Sequence, residues 1–246
     1  MTTLVVRGNY SQETLVLLAY LSQQPSFSSY ANRYVVYIDT GWSGEGWSFQ
    51  VERGEAFAET LGFQPIRLHS QASFDDLVRD RGDFPSQKFQ WCAGLLKGVP
   101  FINWLDEHDP AGEWVIALPK RQALARTPIP ERIEACPYHG ERSVMHPIHA
   151  LSTEECQSVL SRYHLQGVLQ RSLECDPCVN LRAHEIAELK DSDIEKTSKL
   201  ENSLNKKLFS HDIQTQVKKA RASTREAGLS RDSFNRGCGD PFGCGL

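Results

Sequence analysis

Two cysteines on one short turn, Cys175-Asp176-Pro177-Cys178, are the most chemically pointed feature of this 246-residue chain. That spacing brings two sulfurs close enough to share a metal, and Pro177 stiffens the turn between them. The chain holds seven cysteines, an odd number spread along a mid-sized sequence. In a reducing compartment this favours metal or redox chemistry over a disulfide framework. Cys136 and Cys156 read as ordinary thiols, the latter in a predicted helix where packing is the usual role. The histidines form no ligand-spaced cluster, and His146 and His149, on either side of Pro147, read as solvent-facing or capping.

A second constellation opens the chain. Gly8, Asn9, Ser11 and Thr14 lie between an apolar strand and an apolar helix. Such a loop presents backbone N–H groups at the positive end of the helix dipole, so it can hold a phosphate without any charged side chain. Further along, Lys120, Arg121 and Arg126 offer oxyanion clamps or, alternatively, form an exposed basic loop. Trp42, Trp47 and Trp91 either stack on a base or line the core.

The elements that must position these residues follow from periodicity. Thr2 to Val6 predicts a buried strand, Thr14 to Leu21 an apolar helix, and Tyr34 to Ile38 a second strand ending in Asp39-Thr40-Gly41. Helical spacing from Phe49 to Leu61 stops at Gly62, and Pro65 to Leu68 predicts a third strand. Phe74 to Val78 and Gln90 to Leu105 read as helical, the latter kinked or split at Pro100, before a strand over Trp114 to Leu118. Pro119 to His149 holds Pro128, Pro130, Pro137 and Pro147 besides its first residue and reads mostly as loop, followed by a helix capped by Ser152 or Thr153. Asn180 to Leu208 is charged and helical in character, and the end of the chain is polar and then Gly-rich. Strands alternating with helices imply an α/β fold, a parallel twisted sheet with helices on both faces.

With 40% hydrophobic and 24% charged residues, the chain can bury an ordinary core. Leu15 to Leu21, among its longest apolar stretches, falls far short of the roughly 20 residues of a membrane span. Met1-Thr2-Thr3 lacks a basic leader region, so the expectation is a cytoplasmic protein with no membrane partner. A net charge of −4 argues against coating nucleic acid by electrostatics alone. Lys206, Lys207, Lys218, Lys219, Arg221 and Arg225 nonetheless make a local basic run, or else a solvated helix face.

In their joint order, four segments resemble the phosphoadenosine-phosphosulfate-reductase-like (PAPS-reductase-like) branch of the PP-loop adenine-nucleotide α-hydrolases, over Leu4 to Arg182. Gly8-Asn9-Tyr10-Ser11-Gln12-Glu13-Thr14 stands at the place of the family's Ser-Gly-Gly-x-Asp-Ser loop, and Asp39-Thr40-Gly41 matches its second-strand ending. Trp91-Cys92-Ala93-Gly94-Leu95-Leu96-Lys97 through Pro100 is similar to its Trp-Cys-Thr-x-x-Leu-Lys-x-x-Pro. Arg171-Ser172-Leu173-Glu174-Cys175-Asp176-Pro177-Cys178 is similar to its Arg-Ser-x-x-Cys-x-x-Cys. Within the family the likeness points toward the iron–sulfur sulfur-transfer and DNA-phosphorothioation members.

The resemblance implies a Rossmann-like PP-loop domain over 1–182 and a charged helical extension with a Gly/Cys tail over 183–246. It implies ATP with Mg²⁺, or an adenylyl-sulfate, on Gly8, Asn9, Ser11 and Thr14, with Asp39 and Thr40 near the nucleoside and Lys120, Arg121 and Arg126 as clamps. Glu13, Lys97 and the tail's Cys238 are the catalytic candidates. A [4Fe-4S] cluster is implied on Cys92, Cys175 and Cys178, either with these three protein ligands or with Cys244 or Cys238 as a fourth; Zn²⁺ or a metal-free pair of thiols is the alternative. Three departures stand out: Tyr10 and Ser11 replace the loop's two glycines, Gln122 and Ala123 replace a Glu and a Ser, and Trp91 replaces the first of two adjacent cysteines. The leading expectation is ATP-dependent sulfur transfer, to tRNA or DNA, with a sulfur donor or partner protein. The alternatives are a reductase of adenylyl-sulfate or PAPS, and a degenerate, non-catalytic subunit that binds nucleotide or nucleic acid within an assembly.

Overall fold

The computed structural model describes residues 2–122, 127–165, 167–168 and 171–226. Six strands form one sheet: β1 (Leu4–Arg7), β2 (Arg33–Asp39), β3 (Gln64–His69), β4 (Val115–Ala117), β5 (Arg132–Cys136) and β6 (Arg142–Met145), in the order β3-β2-β1-β4-β6-β5. Every pairing is parallel except β5 with β6. The sheet is therefore mostly parallel, with one antiparallel strand at its edge. The segment between Pro119 and His149, expected to be mostly loop, holds both β5 and β6. Each is short, and β6 (Arg142-Ser143-Val144-Met145) shows too little alternation to register as a strand; pairing with β4 makes it one.

Side-chain alternation sorts the strands' residues onto two faces. Leu4, Val6, Val35 and Tyr37 face a core shared with α1 (Gln12–Ser22), α2 (Trp47–Thr60) and α6 (Thr153–Arg162). Val5, Val36, Ile38 and Ile116 face a second core built on Phe101 and Leu105 of α5 (Val99–His108). Helix α1 is buried along almost its whole length because it lies between the sheet and both α2 and α6. Ser152 opens α6 with a full capping box, exchanging hydrogen bonds with Glu155.

The helical stretch around Pro100 has an unusual middle. After α4 (Trp91–Ala93) the backbone widens into a π turn over Gly94–Gly98 and then resumes as α5. Pro100 has no N–H to give to the carbonyl of Leu96, so the ladder is interrupted where the turn relaxes. One result is that Leu96, Lys97 and Gly98, three consecutive residues, are all buried.

Beyond Cys178 the chain forms α7 (Ala183–Ala187), α8 (Asp191–Leu204) and α9 (Ile213–Glu226). Leu200 and Leu208 join Trp42, Phe74, Cys92, Leu96 and Cys175 in a third apolar cluster, to which α3 (Phe74–Arg81) also contributes Val78. No helix among the described residues is long and apolar enough to cross a membrane.

Candidate nucleotide and thiol site

The strand order reverses between β1 and β4, which leaves a crevice at their carboxyl ends. The loop after β1 and the loop after β4 meet there. Arg121, on the second, points its Nη2 at Glu13 Oε1, in the first turn of α1 just past the first loop, at 3.5 Å, with both side chains more than nine-tenths buried. Burial raises the Glu13 carboxyl above its ordinary range, opposed by its own backbone N–H and by the Arg121 charge and the Ser11 hydroxyl. Lys120 is half-buried beside it.

Within the β1–α1 loop the polar side chains organise the backbone. Asn9 Oδ1 accepts from Ser11 N–H at 3.0 Å and from the Thr14 hydroxyl at 3.1 Å, and the Thr14 hydroxyl accepts from Asn9 N–H. A side chain at Gly8 would overlap Thr14 Cγ2, so glycine is required by the close approach of helix to loop. Thr14, expected to meet the nucleotide, thus shapes the loop from inside. Ser11 is the N-cap of α1, and Glu13 in the first turn complements the helix dipole.

Asp39 is half-buried at the end of β2, accepting from Gly41 N–H at 2.9 Å. Thr40 is fully buried and donates its hydroxyl to Glu174 O at 2.6 Å. That bond belongs to a seam: Gly44 N–H donates to Leu173 O, Asp176 N–H donates to Trp42 O, and Trp42 pairs with Cys175 in a parallel bridge. The segment carrying the Cys-x-x-Cys turn is thereby stitched alongside the loop that follows β2.

Glu174 is the residue that sequence reasoning missed. It is 4% exposed, its Oε1 lies 2.5 Å from Lys97 Nζ and 3.4 Å from Asn9 Nδ2, and its Oε2 has no hydrogen-bond partner among the described residues. The same carboxylate helps push the Tyr37 hydroxyl's pKa up, after the larger effect of burial. Its only sequence signal is a charge immediately before Cys175. Half-buried Arg171 and buried Asp176 form a second pair at 2.7 Å on the same segment.

The three cysteines lie in one apolar cluster, Cys92 and Cys175 buried and Cys178 half-buried at its margin. As a donor set, thiols from two distant segments suit an iron–sulfur cluster or zinc. Among the described residues, no group of three His, Cys, Asp or Glu is arranged to hold a metal ion. The set therefore fits a metal centre in donor type and not as a closed coordination sphere. Arg126, Cys238 and Cys244 lie outside the described residues.

No family model and no curated protein matches this sequence. Among solved structures, the U34-tRNA thiolase NcsA from Methanococcus maripaludis, determined with its [4Fe-4S] cluster, aligns over 97% of this chain and 76% of its own, with a TM-score of 0.50 at 12% identity. The fold is that of the PP-loop proteins. Phosphoadenylyl-sulfate (PAPS) reductase from Candida auris, in a phosphate complex, aligns over 67% of this chain and 74% of its own, with a TM-score of 0.48 at 14% identity. At these identities the likeness is one of fold. In this PP-loop fold a cleft of about 480 Å³ among the C-terminal helices, lined by Ile194, Val217, Lys218 and Arg221, holds two members of the basic run and none of the nucleotide or thiol candidates.

Proposed function

We propose that this chain is an ATP-using enzyme of sulfur transfer. ATP binds at the β1–α1 loop, an acceptor oxygen attacks the α-phosphorus, and pyrophosphate leaves. A sulfur nucleophile then displaces AMP. The backbone N–H groups opening α1, with Arg121 and Lys120, would hold the phosphate oxygens, and Glu13, buried against Arg121, is the carboxylate that would hold Mg²⁺. Cys92, Cys175 and Cys178 form the sulfur side of the site. These thiols would hold a [4Fe-4S] cluster, which would supply Lewis-acid iron for sulfur. The acceptor is a nucleic-acid base, in tRNA or DNA, and helices 183–226 close the apolar cluster around the thiols.

The observation that supports this reading is the position of Glu174. Its carboxylate touches Asn9 of the nucleotide loop and Lys97 of the π turn, and the next residue is Cys175 of the thiol cluster. Nucleotide chemistry and thiol chemistry are thus one residue apart.

Two measurements test it together: calorimetric titration with Mg²⁺ and a non-hydrolysable ATP analogue, and iron and sulfide analysis of anaerobically purified protein. The expectation is binding that Glu13→Gln weakens, and iron with absorbance near 400 nm that is lost in Cys175→Ser. Absence of nucleotide binding overturns the first half, and a full complement of zinc overturns the second. Release of sulfite from an adenylyl-sulfate would make the protein a reductase.

A further inference from the structure

The nucleotide loop carries a tyrosine where the resembling family has glycine, and the structure shows where that tyrosine goes. Tyr10 has φ +60°, the left-handed conformation that glycine adopts freely and side-chain-bearing residues adopt at a cost. Its ring is completely buried, among Leu15, Val51 and Tyr37 in the core beneath the loop. The ring occupies a slot over Gly54 of α2: a Cβ at residue 54 would overlap Tyr10 Cβ, Cγ and Cδ1. Gln50, one turn earlier on α2, donates its Nε2 to Tyr10 O at 2.9 Å. Helix α2 therefore grips both the side chain and the carbonyl of one loop residue.

We infer that Tyr10 is a positioning residue that does glycine's work in the anion loop. Its buried ring, seated over Gly54 and fixed by Gln50, holds residue 10 in the left-handed turn and keeps its side chain off the ligand face. The first missing glycine is then a replacement of conformational freedom by anchoring, and Ser11, at the second, has φ −69°, which any residue adopts, so the loop stays preformed for phosphate. This rests on the nucleotide reading above, and it removes the loop's lost glycines as grounds for a non-catalytic role.

The test measures two properties that the inference separates: binding of Mg²⁺ with the ATP analogue by calorimetry, and thermal stability. Gly54→Ala expels the ring and is expected to weaken binding by about tenfold or more. Adding Tyr10→Gly to Gly54→Ala is expected to restore binding, because glycine takes the turn without an anchor, while stability stays below wild type for want of the buried ring. A residue serving packing alone would show no such recovery. Should Gly54→Ala fail to fold, Tyr10→Gly and Tyr10→Ala supply the comparison: both lose the ring, and only the alanine strains the turn. Equal binding by those two, or wild-type binding by Gly54→Ala, overturns the inference. A wild-type protein that binds no nucleotide overturns the functional reading and this one with it, whereas intact wild-type binding with indifferent variants overturns this one alone.

Discussion

Lys97 Nζ lies 2.5 Å from Glu174 Oε1, and neither side chain is more than 6% exposed. Two charges have been withdrawn from water to make this contact, at a desolvation cost of several kcal/mol per ion. Packing alone would be served as well by two apolar side chains, so the pair is poor value as a stabiliser and points to a use. Each partner is held by an unusual backbone feature: Lys97 sits in the π turn, and Glu174 precedes the Cys-x-x-Cys turn, its carbonyl gripped by Thr40.

Removing one partner should therefore be far worse than removing both. Lys97→Met or Glu174→Leu alone is expected to cost about 3–5 kcal/mol of unfolding free energy, and the double variant to recover most of it. Urea denaturation of the four proteins gives the coupling directly. Single variants within about 1 kcal/mol of wild type would show that water reaches the pair.

How far these contacts were legible in the sequence depended on whether their cause was local. The β1–α1–β2 unit was plain because Leu4 to Arg7 and Arg33 to Asp39 are dense in apolar residues with a polar loop between. β5 and β6 were hidden because they are strands by virtue of neighbours distant in the sequence. Glu174 was hidden for the same reason: Lys97 lies 77 residues away, and burial turns an ordinary acid into a site residue. Tyr10 shows a different limit. The sequence reports a lost glycine, whereas the loop needs a backbone angle, and the residue that makes this angle attainable, Gly54, is on another helix.

The Tyr10 hydroxyl is buried and has no hydrogen-bond partner among the described residues. A desolvated, unsatisfied hydroxyl costs about 1–3 kcal/mol. Tyr10→Phe keeps the ring over Gly54 and deletes that penalty, so melting temperature should rise by a few degrees with nucleotide affinity unchanged. A fall in stability would mean that the hydroxyl has found a partner, such as an ordered water.

Arg142 gathers the end of α5 and the edge of the sheet. Its Nε meets Asp109 Oδ2 at 2.7 Å, Nη2 donates to Asp109 O at 2.6 Å, and Nη1 reaches Asp106 Oδ1 at 3.0 Å and His139 O at 3.2 Å. A lysine carries the same charge without the planar fork. Arg142→Lys should thus destabilise by about 2–4 kcal/mol in denaturant titration, most of it from Asp109, which is left buried with fewer donors. A loss below about 0.5 kcal/mol would show that charge alone suffices.

His139 makes the protein sensitive to mild acid. It is 2% exposed, its Nδ1 lies 3.3 Å from Cys136 Sγ, and its pKa is lowered to about 3, first by burial and then by the positive charge of Arg7 and Lys120. In the unfolded chain the imidazole titrates at its ordinary value, near 6.5. Between those values the unfolded state binds a proton that the folded state refuses, so stability falls as pH falls. The contribution is intact above about pH 6.5 and is lost progressively toward pH 3, with a slope approaching about 1.4 kcal/mol per pH unit. Carboxylates add their own acid sensitivity below about pH 5, which makes pH 7 to 5 the informative window. Over that window wild type should lose about 2 kcal/mol more than His139→Gln, measured by urea denaturation at each pH. Parallel losses in the two proteins would mean that His139 takes up its proton without unfolding the edge of the sheet.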